Sequence, residues 1–129
     1  MTRATMIERE ALLALAERVE KLIGPDREVD AEIADAVHWD DPITFSDDAR
    51  LLPYTASLDA AMTLVPEGWN WMAGNRNQPT ARAYVNNGEL HFTGAAARKN
   101  PAQQWHEVVA ATPALALTAA ALRARAGEA

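Results

Sequence analysis

The sequence predicts an α+β fold in which three or four helices pack on a small three-stranded antiparallel sheet. Apolar residues recur at helical spacing over residues 4–37 and again over residues 113–126. Between these regions lie short alternating segments separated by polar turns, a pattern typical of antiparallel strands. At 129 residues the chain has the length of one domain, so we assign residues 1–129 to a single domain.

The composition excludes several classes of protein. The chain contains no cysteine, which excludes disulfide frameworks, thiolate metal sites and cysteine nucleophiles. No apolar run approaches the roughly 18 residues that a membrane span requires, so we expect no membrane partner. The first residues alternate charged and apolar side chains, which does not fit a secretory signal peptide.

Acidic side chains are concentrated in the first part of the chain. Residues 1–48 contain 13 acidic and 5 basic residues, whereas residues 49–129 contain 5 and 7. The net charge of −6 repels nucleic acid backbones, so nucleic acid is not an expected partner. Such an acidic surface either keeps the protein soluble or meets a basic surface on a partner protein.

The first predicted helix covers residues 4–23. Its apolar face comprises Leu12, Leu15, Ala16, Val19, Leu22 and Ile23. An apolar stripe of this kind packs either on its own domain or on a second copy of the chain. The sequence therefore leaves open a semi-independent helix that forms a homodimer through residues 4–23.

The second predicted helix starts at Gly24-Pro25 and ends near Val37. Pro25 suits the first helical position, where its missing N–H would be unpaired in any case. Acidic residues occupy most of the helix outside its apolar stripe, and the irregular segment HWDD follows. The candidate partner-binding residues are Glu28, Asp30, Glu32, Asp35, Trp39, Asp40 and Asp41.

The stretch from Leu52 to Trp71 predicts a capped short helix followed by a strand. Thr55 and Ser57 are both suitable helix caps, and Pro66 and Gly68 end the helix. The predicted apolar face of this helix comprises Leu58, Ala61, Met62 and Val65. Trp69 and Trp71 then share one side of an extended segment, where we expect them to pack under the helices.

Strands are predicted over residues 69–73, 80–85 and 89–93. Asn86-Asn87-Gly88 contains the Asn-Gly pair that type I′ hairpin turns favour, so residues 89–93 should return beside residues 80–85. Residues 105–110 form either a short final strand or an extended lead-in to the last helix. That helix begins at Thr112-Pro113, with Thr112 as its cap.

Three sequence blocks carry a resemblance to a known family. They are GPDREVDAEIADAV at 24–37, PYTASLDAAMTLVPEGWNW at 53–71 and AATPALALTAAALRARA at 110–126. Together they resemble small phage and prophage proteins with the phage ABA sandwich domain. The resemblance implies a phage or prophage origin, a location in the cytoplasm of a bacterial host, and helices around a small antiparallel sheet. It implies no enzyme activity, and residues 38–52 and 95–104 depart from the family pattern.

The residues that might carry chemistry do not form a recognisable motif. His38, Asp40 and Asp41 resemble the start of a metal site, but catalytic metal sites usually take at least three well-placed ligands. Ser46 is not part of a strand–turn–helix nucleophile elbow. The glycines fit hairpin turns, and no nucleotide-binding loop is present. We therefore expect no catalytic residues, no cofactor, no metal and no enzyme activity.

Three functional hypotheses remain at this point. The first is non-catalytic binding to a host protein, for example to inhibit a host defence complex such as a CRISPR effector. The second is binding or sequestration of a small molecule or nucleotide in a pocket between the sheet and the last helix, lined by Trp71, Arg82 and Tyr84. The third is a structural or assembly role in the phage.

Overall fold

The computed structural model describes residues 6–37, 52–75, 77–87 and 104–127. In chain order its elements are α1 Met6–Lys21, α2 Arg27–Val37, α3 Leu58–Met62, β1 Asn70–Gly74, β2 Ala81–Asn86, β3 Trp105–Ala110 and α4 Pro113–Gly127. The three strands form one antiparallel sheet in the order β1-β2-β3. The predicted α+β class, with helices on a three-stranded antiparallel sheet, is confirmed.

Helix α4 is the centre of the packing. Every residue from Ala114 to Leu122 is buried, and α4 contacts α1, α3 and all three strands. The structure buries α4 on all sides. A helix that is apolar all round belongs in a core, and its many alanines let neighbouring elements approach closely.

One face of the sheet packs on α4. In β2 the residues that face α4 are buried and alternate with residues of the opposite face. Their paired residues in β1 and β3 lie on the same side of the sheet. The residues of this face are Trp71, Ala73, Ala81, Ala83, Val85, His106, Val108 and Ala110. Trp69 and Trp71 both pack against the core from partly buried positions, as the sequence predicted.

The predicted return strand over residues 89–93 lies outside the described residues. In the described sheet, β2 lies between β1 and β3. Asn87 at the end of β2 pairs with Gln104, whose backbone N–H donates to the Asn87 side-chain oxygen at 2.7 Å. The third strand is therefore Trp105–Ala110, the segment for which the sequence left two interpretations open.

Helix α1 buries its apolar stripe within its own chain. Leu12, Leu15, Ala16 and Val19 belong to the core, and α1 packs mainly on α4. The face on which a homodimer through residues 4–23 would depend is thus already covered. The prediction that Ile23 belongs to this apolar face is wrong, because Ile23 is 94% exposed. The helix ends at Lys21, so the helical spacing no longer applies to Ile23.

Helix α3 is shorter than the sequence predicted. Ser57 is its cap, because the Ser57 side chain accepts a hydrogen bond from the backbone N–H of Ala60. The helix ends at Met62, and Met62 is exposed although the sequence placed it on the apolar face. Leu64, which follows the helix, is buried. Thr55, the other proposed cap, takes part in a different contact with α2.

Thr55 and two aspartates fix α2 to the turn before α3. Asp26 caps α2 by accepting hydrogen bonds from the N–H groups of Glu28 and Val29, and the N–H of Asp26 donates to Thr55 Oγ1 at 2.8 Å. Asp30 Oδ1 accepts from the Thr55 N–H at 2.8 Å and from Thr55 Oγ1 at 2.9 Å. Pro25 therefore precedes the cap, and the helix begins at Arg27 rather than at Pro25.

Polar contacts join α4 to the other helices. Thr118 Oγ1 donates to the backbone carbonyl of Tyr54 at 2.9 Å, and Arg125 Nε donates to that of Leu64 at 2.7 Å. Arg123 forms an ion pair with Glu20 of α1. As predicted, Thr112 caps the helix by accepting from the N–H of Leu115. These bonds fix α4 relative to α1 and to the segment around α3.

We predict that enlarging a side chain of α4 strongly destabilises the fold. Ala120 is fully buried, so Ala120→Leu should lower the free energy of unfolding by about 1–3 kcal/mol through overpacking. Ala31→Leu on the exposed side of α2 is the control and should change it by less than about 0.5 kcal/mol. Urea denaturation measures both. Equal effects of the two substitutions would contradict the central position of α4.

We also predict that Asp30 is required for stability. Asp30→Ala leaves the buried N–H of Thr55 without its acceptor, which should cost about 1–3 kcal/mol. Asp35→Ala removes an exposed carboxylate from the same helix and should cost less than about 0.5 kcal/mol. Thermal or urea unfolding compares them, and a stable Asp30→Ala protein would disprove the role of Asp30.

Candidate functional site

An acidic row runs along the exposed side of α2. Glu28, Glu32 and Asp35 are all exposed, and their spacing of four and three residues places them on one side of the helix. Glu32 forms an ion pair with Arg18 of α1 at 2.6 Å, with both side chains about half exposed. Within the described residues, Glu28 and Asp35 have no basic partner. We call Glu28, Glu32 and Asp35 the acidic row.

Asp30 does not belong to this surface, although the sequence pattern placed it there. Its side chain is 0% exposed. Besides the two bonds from Thr55, its second carboxylate oxygen accepts a hydrogen bond from Arg27 at 3.2 Å. A buried carboxylate with three donors stabilises the fold and is not available to a partner, so Asp30 is removed from the candidate set.

Three of the predicted partner-binding residues belong to the segment that follows α2. Trp39, Asp40 and Asp41 lie outside the described residues, so their assignment to a partner-binding surface stays a prediction. Trp105 is described, and it is partly buried on β3. Its ring meets that of Tyr84 edge-on, with the ring centroids 5.5 Å apart.

A groove lies between α1 and α2, beside the acidic row. It is open to solvent, has a volume of about 600 Å³, and is lined by Ala11, Ala14, Leu15, Arg18, Glu32, Asp35 and Ala36. The Arg18–Glu32 ion pair joins the two helices. Alanines on both helices thus leave an apolar floor, while the charged groups lie along its rim.

Sequence reasoning missed this groove. The signal was present in α1, where Ala11, Ala14 and Arg18 follow at spacings of three and four residues. Alanine is also the best helix former, so alanines on a helix face indicate helix propensity as readily as a groove. Only the pairing of α1 with α2 turns these small residues into the floor of a groove.

The pocket proposed between the sheet and the last helix is not formed by its predicted residues. The strand register places Trp71 on the sheet face that packs on α4, whereas Arg82 and Tyr84 lie on the opposite face. Arg82 there forms an ion pair with Glu107 of β3 at 2.5 Å. The alternation of side chains across a strand separates residues 71 and 82–84, because Trp71 pairs with Val85.

His106 fills part of the space on the inner sheet face. Its ring stacks on that of Trp69, with the ring centroids 6.3 Å apart. The Gln104 side chain donates to the carbonyl of Gly127 at 2.9 Å, and its oxygen lies 3.2 Å from His106 Nε2. Because an amide oxygen can only accept, His106 donates from Nε2. Burial, together with the positive charge of Arg123, lowers the pKa of His106 below its ordinary value of 6.5.

The described residues carry no arrangement typical of metal or membrane binding. Across residues 6–37, 52–75, 77–87 and 104–127, no three His, Asp or Glu side chains come together as metal ligands. None of the helices in those ranges is long and apolar enough to cross a membrane. Comparison with protein-family models, curated proteins and solved structures finds no match for this chain. The resemblance to the phage ABA sandwich domain thus stays a prediction.

We predict that stability falls on mild acidification through His106. Its pKa is lower in the folded chain than in the unfolded chain, so the unfolded state binds a proton first as the pH falls below about 6.5. The free energy of unfolding should therefore decrease between pH 7.5 and pH 5, by at most about 1.4 kcal/mol per pH unit from this group.

The control for this prediction is His106→Gln, which removes the titrating group and keeps a polar side chain. Urea denaturation across the pH range measures the free energy of unfolding of both proteins. The difference between the wild type and the variant should shrink or reverse as the pH falls. A constant difference would show that His106 does not contribute to the pH dependence.

Proposed function

We propose that this chain is a small phage- or prophage-encoded accessory protein that acts by non-catalytic binding to a basic surface of a host protein. The observation that carries the proposal is the acidic row on α2. Three exposed carboxylates lie on one side of one helix, and two of them have no basic partner within the described residues. Attraction to a positively charged partner speeds association and selects among partners.

The fixed position of α2 supports this proposal. The buried Asp30 and the cap residue Asp26 hold the helix against Thr55, so the acidic row has a defined orientation before any partner arrives. A surface that is ordered in advance loses less conformational entropy on binding. Acids on such a helix are better suited to matching a basic surface than acids on an unsupported segment would be.

The sign of the charge selects the class of partner. A net charge of −6 and an acidic helix disfavour contact with nucleic acid phosphates. Proteins that themselves bind nucleic acid expose basic grooves, and such a groove matches the acidic row in sign. The resemblance to phage proteins makes a host defence complex, for example a CRISPR effector in the bacterial cytoplasm, a target of this class.

The two alternative functions have less support. The small-molecule or nucleotide hypothesis depended on a pocket lined by Trp71, Arg82 and Tyr84, and these residues lie on two faces of the sheet. The assembly hypothesis depended on α1 pairing between copies, and the apolar stripe of α1 packs on α4 of the same chain. Neither alternative has a specific observation in its favour.

We predict that neutralising the acidic row weakens partner binding without unfolding the chain. The variant combines Glu28→Gln, Glu32→Gln and Asp35→Asn. Exposed ion pairs contribute about 0.5 kcal/mol each, so losing three should weaken binding about tenfold. The measurement is affinity capture from nuclease-treated bacterial lysate, followed by mass spectrometry of the bound proteins and a titration with the purified partner.

The matched control neutralises three exposed acids elsewhere, Glu10, Glu17 and Glu67, each replaced by Gln. Both variants change the net charge by the same amount, so only the location of the charge differs. The control should bind the partner as the wild type does, and the acidic-row variant should bind it about tenfold more weakly. A partner retained equally by both, or no stoichiometric partner from lysates with active defence systems, would contradict the proposal.

A further inference from the structure

We infer that the groove between α1 and α2 is the docking site for one amphipathic helix of a partner protein, with basic residues on one side and small apolar residues on the other. This inference rests on the proposed function and specifies the chemistry of the partner. It is carried by the groove of about 600 Å³ and by the charges along its rim.

The floor of the groove selects small apolar groups. Ala11 and Ala14 of α1 are exposed, and Leu15 beneath them is buried. Ala36 of α2 lines the opposite wall. Side chains this short allow a third helix to approach α1 and α2 closely, as an amphipathic helix does in a hydrophobic groove.

The rim of the groove selects basic groups. Asp35 lines it and has no basic partner within the described residues, while Arg18 is already paired with Glu32. Glu28 continues the acidic row along α2. A lysine or arginine of the occupant can thus pair with Asp35, whereas an acidic occupant would meet uncompensated negative charge.

The same charges argue against a second copy of this chain as the occupant. An isologous contact would bring the acidic rows of both copies into one interface, where their like charges repel each other. A basic segment of a different protein meets no such repulsion. The occupant is therefore a helix from a partner, in keeping with the net charge of −6.

The test uses a synthetic 18-residue helical peptide as the probe, with lysines on one side and alanine and leucine on the other. A second peptide carries glutamate in place of each lysine. Binding to the full chain is measured by fluorescence anisotropy, and the contact is mapped by amide chemical shifts. We expect the lysine peptide alone to bind, with shifts at Ala11, Ala14 and Asp35.

Two variants separate the groove from the acidic row. Ala14→Gln fills the groove without changing the charge and should weaken binding of the lysine peptide at least tenfold. Ala56→Gln adds the same side chain at an exposed alanine outside the groove and should leave binding unchanged. Circular dichroism and thermal unfolding establish that both variants are folded.

The remaining outcomes distinguish a failure of this inference from a failure of the proposed function. If the substitutions in the acidic row weaken binding of the lysine peptide and Ala14→Gln does not, the groove is not the binding site and the proposed function stands. If neither peptide binds, or both bind equally, the groove does not select a basic helix. Self-association of the wild type with shifts at Ala14 would make a second copy the occupant. If the lysine peptide binds as expected and lysate capture fails, the inference stands and the proposed host partner does not.

Discussion

The close packing around α4 is the constraint on which the rest of the structure depends. The buried side chains of α4 are alanine, leucine and threonine, and they point to all sides of the helix. Helices α1 and α3 and the sheet all pack on α4. Because alanine fills little volume, the neighbouring elements lie near the helix backbone and their apolar residues reach one another. The surface features, including the acidic row, are arranged around this core.

The aspartates of α2 show how one helix serves two purposes. Asp26 caps the helix with its side chain and donates its backbone N–H to Thr55, and the Asp30 side chain accepts from Thr55, whereas Asp35 faces solvent beside the groove. Asp30 and Asp35 have the same side chain, and only their direction around the helix differs. The number of acidic residues in a segment therefore overstates its free negative charge, since part of it is used within the fold.

The sequence predicted the fold class well, because periodicity and caps are local signals. Thr112 and Ser57 cap helices as their residue types suggested, and the apolar stripe of α1 is buried as its spacing indicated. The predictions were wrong where contacts between residues far apart in the sequence determine the structure. No local pattern reveals that Asp30 meets Thr55, which is 25 residues away.

The candidate site was predicted only in part, for the same reason. Helical spacing was enough to locate Glu28, Glu32 and Asp35 on α2, but burial removed Asp30 from the set. The groove required the pairing of two helices and could not follow from either one alone. The measurement that tests the account most directly is native-state hydrogen exchange of the full chain. We predict that α4 amides exchange only with the free energy of global unfolding, and that α2 amides exchange through smaller openings. Exchange of α4 at a lower free energy than α1 or β2 would contradict the account.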